Sequence, residues 1–123
     1  MKVVNVTRGT VLGENVCAAT GFFRRLTGLL GKDRLEEGEG LLISPCTGIH
    51  SIGMRFVFDV IFLGPDGKIL YLRERFPKNS FSRIVRNAWG VLEFPQGTIK
   101  RTGSAPGDEI RFDPPPNVHS VPR

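Results

Sequence analysis

The chain has 123 residues, of which 40% are hydrophobic and 24% are charged, and its formal net charge is +5. A chain of this length suits one domain that buries enough surface to fold without disulfides or a metal. It has no apolar run of the roughly 18 residues that span a bilayer and no secretory signal at its start, so we expect a cytoplasmic protein with no membrane partner.

The first part of the chain predicts three short strands. Residues 2–6, 10–12 and 16–19 are rich in β-formers, and Thr7, Arg8 and Gly9 form a turn between the first two.

A helix is predicted next. Thr20 can cap its N-terminus, and Gly31 can end it. Apolar residues between them recur at helical spacing, at Phe22, Phe23, Leu26, Leu29 and Leu30. A further strand, residues 41–43, ends at Pro45.

Residues 55–63 predict a central strand, because both of its faces are largely apolar. The Gly-Pro-Asp-Gly sequence at 64–67 predicts a hairpin turn, since Pro presets the first turn angle and Gly accepts a positive one. Residues 68–73 then return as the partner strand.

The remainder is more irregular. Residues 74–87 form a long stretch without a clear period, so we expect a mobile or functional loop there. Residues 88–94 are extended, 98–103 predict one helical turn, and 109–112 predict the last strand. The tail, residues 113–123, is expected to be disordered because it has little apolar surface to bury.

Six segments in this order resemble one known family. They are RRLTGLLG after Thr20, GEGLLISPC, IHSIGMRFVFDVIFL, PDGKIL, AWGVLEFPQG and PGDEI. Together they resemble the bacterial and archaeal family called domain of unknown function 192, although His50 stands where many relatives have Trp. The resemblance implies a small, strand-rich α+β domain with no established activity.

The predicted fold is therefore a single α+β domain over residues 1–112. It has a strongly twisted or barrel-like mixed sheet and one packed short helix. The Gly107-Asp108 pair is similar to the Gly-Asp turn of cradle-loop barrels and supports a partly closed barrel.

Asp59 is the most unusual residue of the predicted central strand, because a carboxylate among apolar side chains needs a partner or a proton. Arg55, on the same strand face, and Arg25, on the helix, are the candidate structural partners. In the alternative hypothesis Asp59 anchors a ligand or transfers a proton.

Cys46 and His50 allow two interpretations. On a continuous strand they would be about 13 Å apart, whereas on a turn or helix they could approach within about 6 Å and activate a thiolate. A zinc site would additionally need Cys17 and Asp59 to converge, without the paired spacing that such sites usually show. We predict no metal or cofactor, and whether Cys17 and Cys46 are bridged stays open.

A basic loop follows the hairpin. Its cations, which are offset only by Glu74, are Arg73, Arg75, Lys78, Arg83 and Arg86. Phe76, Phe81 and Trp89 could stack on nucleic-acid bases. We expect instead that they pin the loop to the core together with Ile84, Val85 and Val91.

The leading hypothesis is a small binding module for a small molecule or peptide, present as a monomer or weak dimer. The candidate ligand-binding residues are Arg25, Cys46, His50, Met54 and Asp59, with the basic loop at the rim. An enzyme that uses Asp59, His50 or Cys46 in acid–base or thiol chemistry is the alternative. A nucleic-acid or protein partner on the basic loop, residues 73–86, is a third hypothesis.

Overall fold

The computed structural model of the protein describes residues 1–19 and 34–116. Within them, the secondary-structure elements are β1 (Lys2–Asn5), β2 (Thr10–Gly13), β3 (Asn15–Ala19), β4 (Glu39–Ile43), β5 (Phe58–Leu63), β6 (Ile69–Phe76), β7 (Gly90–Pro95), α1 (Thr98–Thr102) and β8 (Ile110–Asp113). The predicted strands are confirmed, with ends that shift by a few residues. The predicted helix after Thr20 and the last part of the tail lie outside the described residues.

The strands form two sheets. One has three strands in the order β2-β1-β8, and the other has five in the order β3-β4-β7-β5-β6. The pair β3–β4 is parallel and the other pairs are antiparallel, so the larger sheet is mixed. The α+β class is confirmed, and the described strands do not join into one closed barrel. None of the helical segments in residues 1–19 and 34–116 has the length and apolar character needed to cross a bilayer.

Strand β5 is central, as the sequence predicts. It pairs with β7 on one side and with β6 on the other, and all six of its residues are buried. Alternate side chains along a strand point to opposite faces. Accordingly, Ile61 and Leu63 enter one hydrophobic core, and Phe58, Val60 and Phe62 enter another.

The first core joins the two sheets. Val3, Leu12 and Ile110 of the small sheet pack in one cluster with Leu42 and Leu92 of the large sheet. Burying an aliphatic side chain of this size contributes about 1.5–3 kcal/mol to folding. The small sheet therefore acts as a cover for one face of the large one.

The second core lies on the opposite face of the large sheet. Two irregular segments, residues 44–57 and 77–89, form part of its cover. They contribute the buried Ile49 and four partly buried side chains, Met54, Phe56, Val85 and Ala88. The candidate site described below lies between these two segments.

A β-bulge interrupts the pairing of β5 with β6. Phe58 pairs with Phe76 but Val60 pairs with Arg73, so β6 has one extra residue opposite Asp59. Arg75 in this bulge adopts a left-handed backbone with a φ of 49°. A bulge leaves one residue without its ladder partner, and its amide then needs another acceptor.

Asp59 supplies that acceptor and is completely buried. Its Oδ1 accepts the backbone N–H of Arg75 at 2.9 Å, and its Oδ2 accepts the N–H of Ile99 in the first turn of α1, also at 2.9 Å. The sequence predicted an arginine side chain, Arg55 or Arg25, as the partner. The partners are backbone amides instead, and Asp59 joins the bulge of β6 to the start of α1.

A second buried carboxylate, Asp108, links the turn before β8 to the end of β1. Its Oδ2 accepts hydrogen bonds from Arg8 Nε at 2.9 Å, Asn5 Nδ2 at 3.0 Å and the Ala105 N–H at 3.0 Å. Burial by itself would raise the pKa of Asp108, but the hydrogen bonds from Arg8, Asn5 and Ala105 outweigh it and lower that pKa below its ordinary value. Bonding to Asp108 raises the pKa of Arg8.

We expect Asp59→Asn to lower the free energy of unfolding by about 2–3 kcal/mol, because the amide NH₂ would face a buried backbone donor that has lost its acceptor. Urea denaturation followed by circular dichroism measures the change. Glu74→Gln is the matched control, since Glu74 is exposed on the same hairpin and its replacement should change stability by less than about 0.5 kcal/mol. An Asp59→Asn variant as stable as the parent would contradict a stabilising role for the two hydrogen bonds of Asp59.

The lowered pKa of Asp108 predicts a specific acid dependence. The unfolded chain binds this proton near pH 3.9, and the folded protein binds it at lower pH. The stabilisation is therefore complete above about pH 3.9 and is lost as the pH falls through the folded pKa. Asp108→Asn should be less stable than the parent at neutral pH by about 1–2 kcal/mol, since its hydrogen bonds lose their charged acceptor.

Urea midpoints measured from neutral pH down to about pH 3 test this dependence. The Asp108→Asn curve should lie closer to the parent curve at the acid end. Asp113→Asn, which alters an exposed carboxylate on β8, should keep the parent's acid dependence. Parallel curves for Asp108→Asn and the parent would show that the Asp108 carboxylate does not contribute to the acid dependence of stability.

Candidate functional site

An open cleft lies on the second-core side of the large sheet, between the two covering segments. Its volume is about 470 Å³. Residues 45–50 form one wall, Phe81, Ser82 and Ile84 form the other, and Ile43 of β4 also contributes. We call it the apolar cleft.

The first wall is built by a turn that follows β4. The Cys46 N–H donates to the Trp89 carbonyl at 3.1 Å, and the Cys46 thiol donates to the Gly48 carbonyl at 3.1 Å. An added Cβ at Gly48 would come within 2.8 Å of Ile84 Cδ1. The absence of a side chain at position 48 therefore allows Ile84 to lie directly against this wall.

Backbone hydrogen bonds hold the two walls together. The Ser82 N–H donates to the Ile49 carbonyl at 2.8 Å, and the Val85 N–H donates to the Thr47 carbonyl at 2.8 Å. The Ile49 N–H in turn donates to Ser82 Oγ at 2.9 Å. This part of the predicted mobile or functional loop is thus attached to the opposite segment.

Ser51 joins the first covering segment to residues 77–80 of the second. It is a residue that the sequence did not single out. It is completely buried. Its Oγ accepts the Ser80 N–H at 3.0 Å and donates to the Pro77 carbonyl at 2.5 Å. Asn79 accepts the Gly53 N–H through Oδ1 at 3.1 Å. The available sequence signal was a small hydroxyl residue among apolar residues. That signal does not reveal which backbone groups the hydroxyl would hydrogen-bond.

The structure brings together two of the predicted ligand-binding residues. Cys46 and His50 both line the apolar cleft. Met54 is partly buried against the second core. Asp59 lies in the interior, bonded to Arg75 and Ile99, and does not line the cleft. Arg25 lies outside the described residues.

The orientation of His50 is fixed in part by its own backbone turn. Its Nδ1 accepts the Ile52 N–H at 3.2 Å. In the neutral ring the proton is then on Nε2, since one nitrogen accepts and the other donates. The ring centroid of His50 lies 6.0 Å from that of Phe81, across the cleft.

Two cleft residues differ from the sequence expectation. Phe81 and Ile84 were expected to pin the loop to the core, but their relative exposures are 75% and 66%. Trp89 in the first core and Val85 against the second follow the expectation. The available signal for Phe81 and Ile84 was the presence of two large apolar residues in an otherwise polar stretch.

The five predicted basic residues are all exposed, and two of them line a second cleft of about 330 Å³. We call it the basic cleft; it is lined by Leu70, Tyr71 and residues 83–87. The Arg83 guanidinium carbon lies 4.8 Å from the centroid of the Tyr71 ring. Arg73 lies over Phe76 at 5.5 Å and lines neither cleft.

Within the described part of the chain, Cys46 and His50 are the titratable side chains that line the apolar cleft. In residues 1–19 and 34–116, no group of three or more His, Cys, Asp or Glu side chains could hold a metal ion. Cys17 is exposed on β3. Glu93 of β7 is a fully buried carboxylate; its sequence signal was its place after Val91 and Leu92 in an apolar strand.

Two solved structures share this fold. A protein of unknown function from Novosphingobium aromaticivorans has a TM-score of 0.79 and 22% identity, over 91% of this chain and 84% of that one. A protein from Sinorhizobium meliloti, described as a candidate transcription regulator, has a TM-score of 0.73 and 24% identity, over 89% of both chains. At these identities the likeness shows the fold alone.

No curated protein matches the chain. The sequence model of one family, described as an uncharacterized ACR, matches residues 3–112. This match covers nearly all of the described strands and confirms the resemblance drawn from the six sequence segments. The chain belongs to the domain of unknown function 192 family.

Proposed function

We propose that the protein is a small binding module whose apolar cleft takes an apolar group of a small molecule or peptide. The observation that carries the proposal is the exposure of Phe81 and Ile84 at the wall of a 470 Å³ cleft. Ligand clefts of small proteins have volumes of roughly 300–1,000 Å³ and combine apolar walls with a few polar groups. Exposed apolar side chains that lie together often mark such sites.

The walls offer both kinds of contact. Phe81, Ile84 and Ile49 provide apolar surface, and His50 and Thr47 provide polar atoms. Because the walls are hydrogen-bonded to each other, the cleft is formed before a ligand arrives, and less ordering entropy is lost on binding. This arrangement supports binding more directly than it supports a reaction.

Replacing Phe81 and Ile84 by Ser should weaken the binding of a neutral apolar probe, N-phenylnaphthylamine, by about tenfold or more. The reason is that two apolar contacts, each worth about 1–2 kcal/mol when buried by a ligand, are removed. Probe fluorescence measures the affinity. Both side chains are largely exposed, so the free energy of unfolding should change by less than about 0.5 kcal/mol.

Ile52→Ser is the matched control, because Ile52 is 45% exposed and does not line the cleft. It should bind the probe as the parent does. Nuclear magnetic resonance should place the probe-induced shifts at residues 46–50 and 81–84. The proposal fails if the parent shows no saturable binding, or if Phe81→Ser and Ile84→Ser bind the probe normally.

A thiol enzyme is the second candidate, because Cys46 and His50 line the same cleft. The Cys46 thiol is half-buried and donates to the Gly48 carbonyl. Cysteine nucleophiles act as accessible thiolates, usually activated by an adjacent base. The Cys46 S–H therefore donates to a backbone carbonyl and not to His50 in this arrangement, which supports the binding module over the enzyme.

The two cysteines of the chain provide an internal comparison. We expect iodoacetamide to modify exposed Cys17 faster than half-buried Cys46, because modification needs access to the sulfur. Mass spectrometry of Cys17→Ser and Cys46→Ser variants gives the two rates. Rapid modification of Cys46 well below about pH 8, slowed by His50→Gln, would instead favour the enzyme.

A further inference from the structure

The apolar and basic clefts are neighbours, and one side chain lines both of them. Ile84 contributes to the wall of each. The apolar cleft is also lined by Phe81 and His50, and the basic cleft by Arg83 and Arg86. A ligand that contacts Ile84 can therefore reach apolar surface and cationic side chains at the same time.

The loop that carries Arg83 and Arg86 has charge of one sign. Residues 75–92 contain four cationic side chains and no Asp or Glu. Among the residues that the structure describes, no carboxylate forms an ion pair with Arg83 or Arg86. Clefts lined by one sign of charge concentrate ions of the opposite sign, so the basic cleft favours an anion.

Arg83 is restrained before any ligand binds. Its guanidinium carbon lies 4.8 Å from the centroid of the Tyr71 ring, within the range of a cation–π contact. A restrained arginine loses less rotamer entropy on binding, and guanidinium groups pair with two oxygens of a carboxylate, sulfonate or phosphate.

The backbone of the apolar cleft argues against an extended peptide. Peptides that add to a sheet edge need unpaired N–H and C=O groups. Here the Ile49 carbonyl, the Thr47 carbonyl and the Ser82 and Val85 amides already bond to each other across the walls. At these positions side chains are left for recognition, which suits a small molecule.

We propose that the ligand is a small amphipathic anion. Its apolar body occupies the apolar cleft beside Phe81, and its oxyanion group occupies the basic cleft beside Arg83 and Arg86, with Ile84 in contact with both parts. This inference rests on the proposed binding function and adds the chemical class of the ligand.

Two fluorescent probes with the same aromatic body test the anion requirement. Anilinonaphthalene sulfonate carries one negative charge, and N-phenylnaphthylamine is its neutral counterpart. We expect the sulfonate to bind more tightly, and Arg83→Gln and Arg86→Gln each to weaken it by about two- to fivefold, the range for solvent-exposed charge pairs. Affinity for the neutral probe should not change.

Raising the salt concentration from about 0.05 M to about 0.5 M should weaken the sulfonate only, because exposed charges are screened. Arg111→Gln is the matched control, since Arg111 is exposed on β8 in the other sheet and its loss removes the same net charge. This variant should bind both probes as the parent does.

The possible failures are distinguishable. Equal affinity for the two probes, lost in both cases on Ile84→Ser, would keep the apolar cleft as a binding site and overturn the anion inference. Sulfonate binding that falls equally in Arg111→Gln and Arg83→Gln would reflect net charge alone and would also overturn it. Failure of the parent to bind either probe would remove the proposed function as well.

Discussion

Strand β5 is buried on both faces, and most of the architecture follows from that constraint. Its apolar side chains alternate between two cores, so each face of the large sheet needs a cover. The small sheet covers one face through Val3, Leu12 and Ile110. The other face is covered in part by two irregular segments, residues 44–57 and 77–89. Irregular backbone leaves clefts between its side chains, whereas a second sheet packed on this face would fill them.

Two buried carboxylates make this arrangement compatible with the polar backbone. Asp59 accepts the amides of Arg75 and Ile99, and Asp108 joins the turn before β8 to Asn5 and Arg8 near the end of β1. Both satisfy donors at irregular points of the backbone, where ladder hydrogen bonds are missing. Both carboxylates bond to protein groups and neither lines the apolar cleft, so the chemistry of the site depends on the loop segments instead.

The two clefts combine exposed apolar side chains with positive charge. Phe81 and Ile84 remain exposed although the loop that carries them is held by backbone bonds. Arg83 and Arg86 add positive charge to the neighbouring cleft that Ile84 also lines. An amphipathic anion complements both properties, whereas a nucleic-acid strand would need several exposed aromatic residues for stacking. Phe76 and Trp89 are buried, so Phe81 is the exposed member of the three aromatics proposed for that role.

The sequence by itself determined the strands, the central position of β5, the hairpin turn at residues 64–67 and the family, because these depend on local periodicity, turn residues and the order of segments. It also identified Asp59 as a buried polar group and placed Cys46 and His50 in a candidate site. Only the tertiary structure decided that Asp59 bonds to distant backbone amides and lies apart from Cys46. It likewise decided that Phe81 and Ile84 face solvent, since a loop's side-chain directions are set by hydrogen bonds such as Ser82 to Ile49 between residues far apart in the chain.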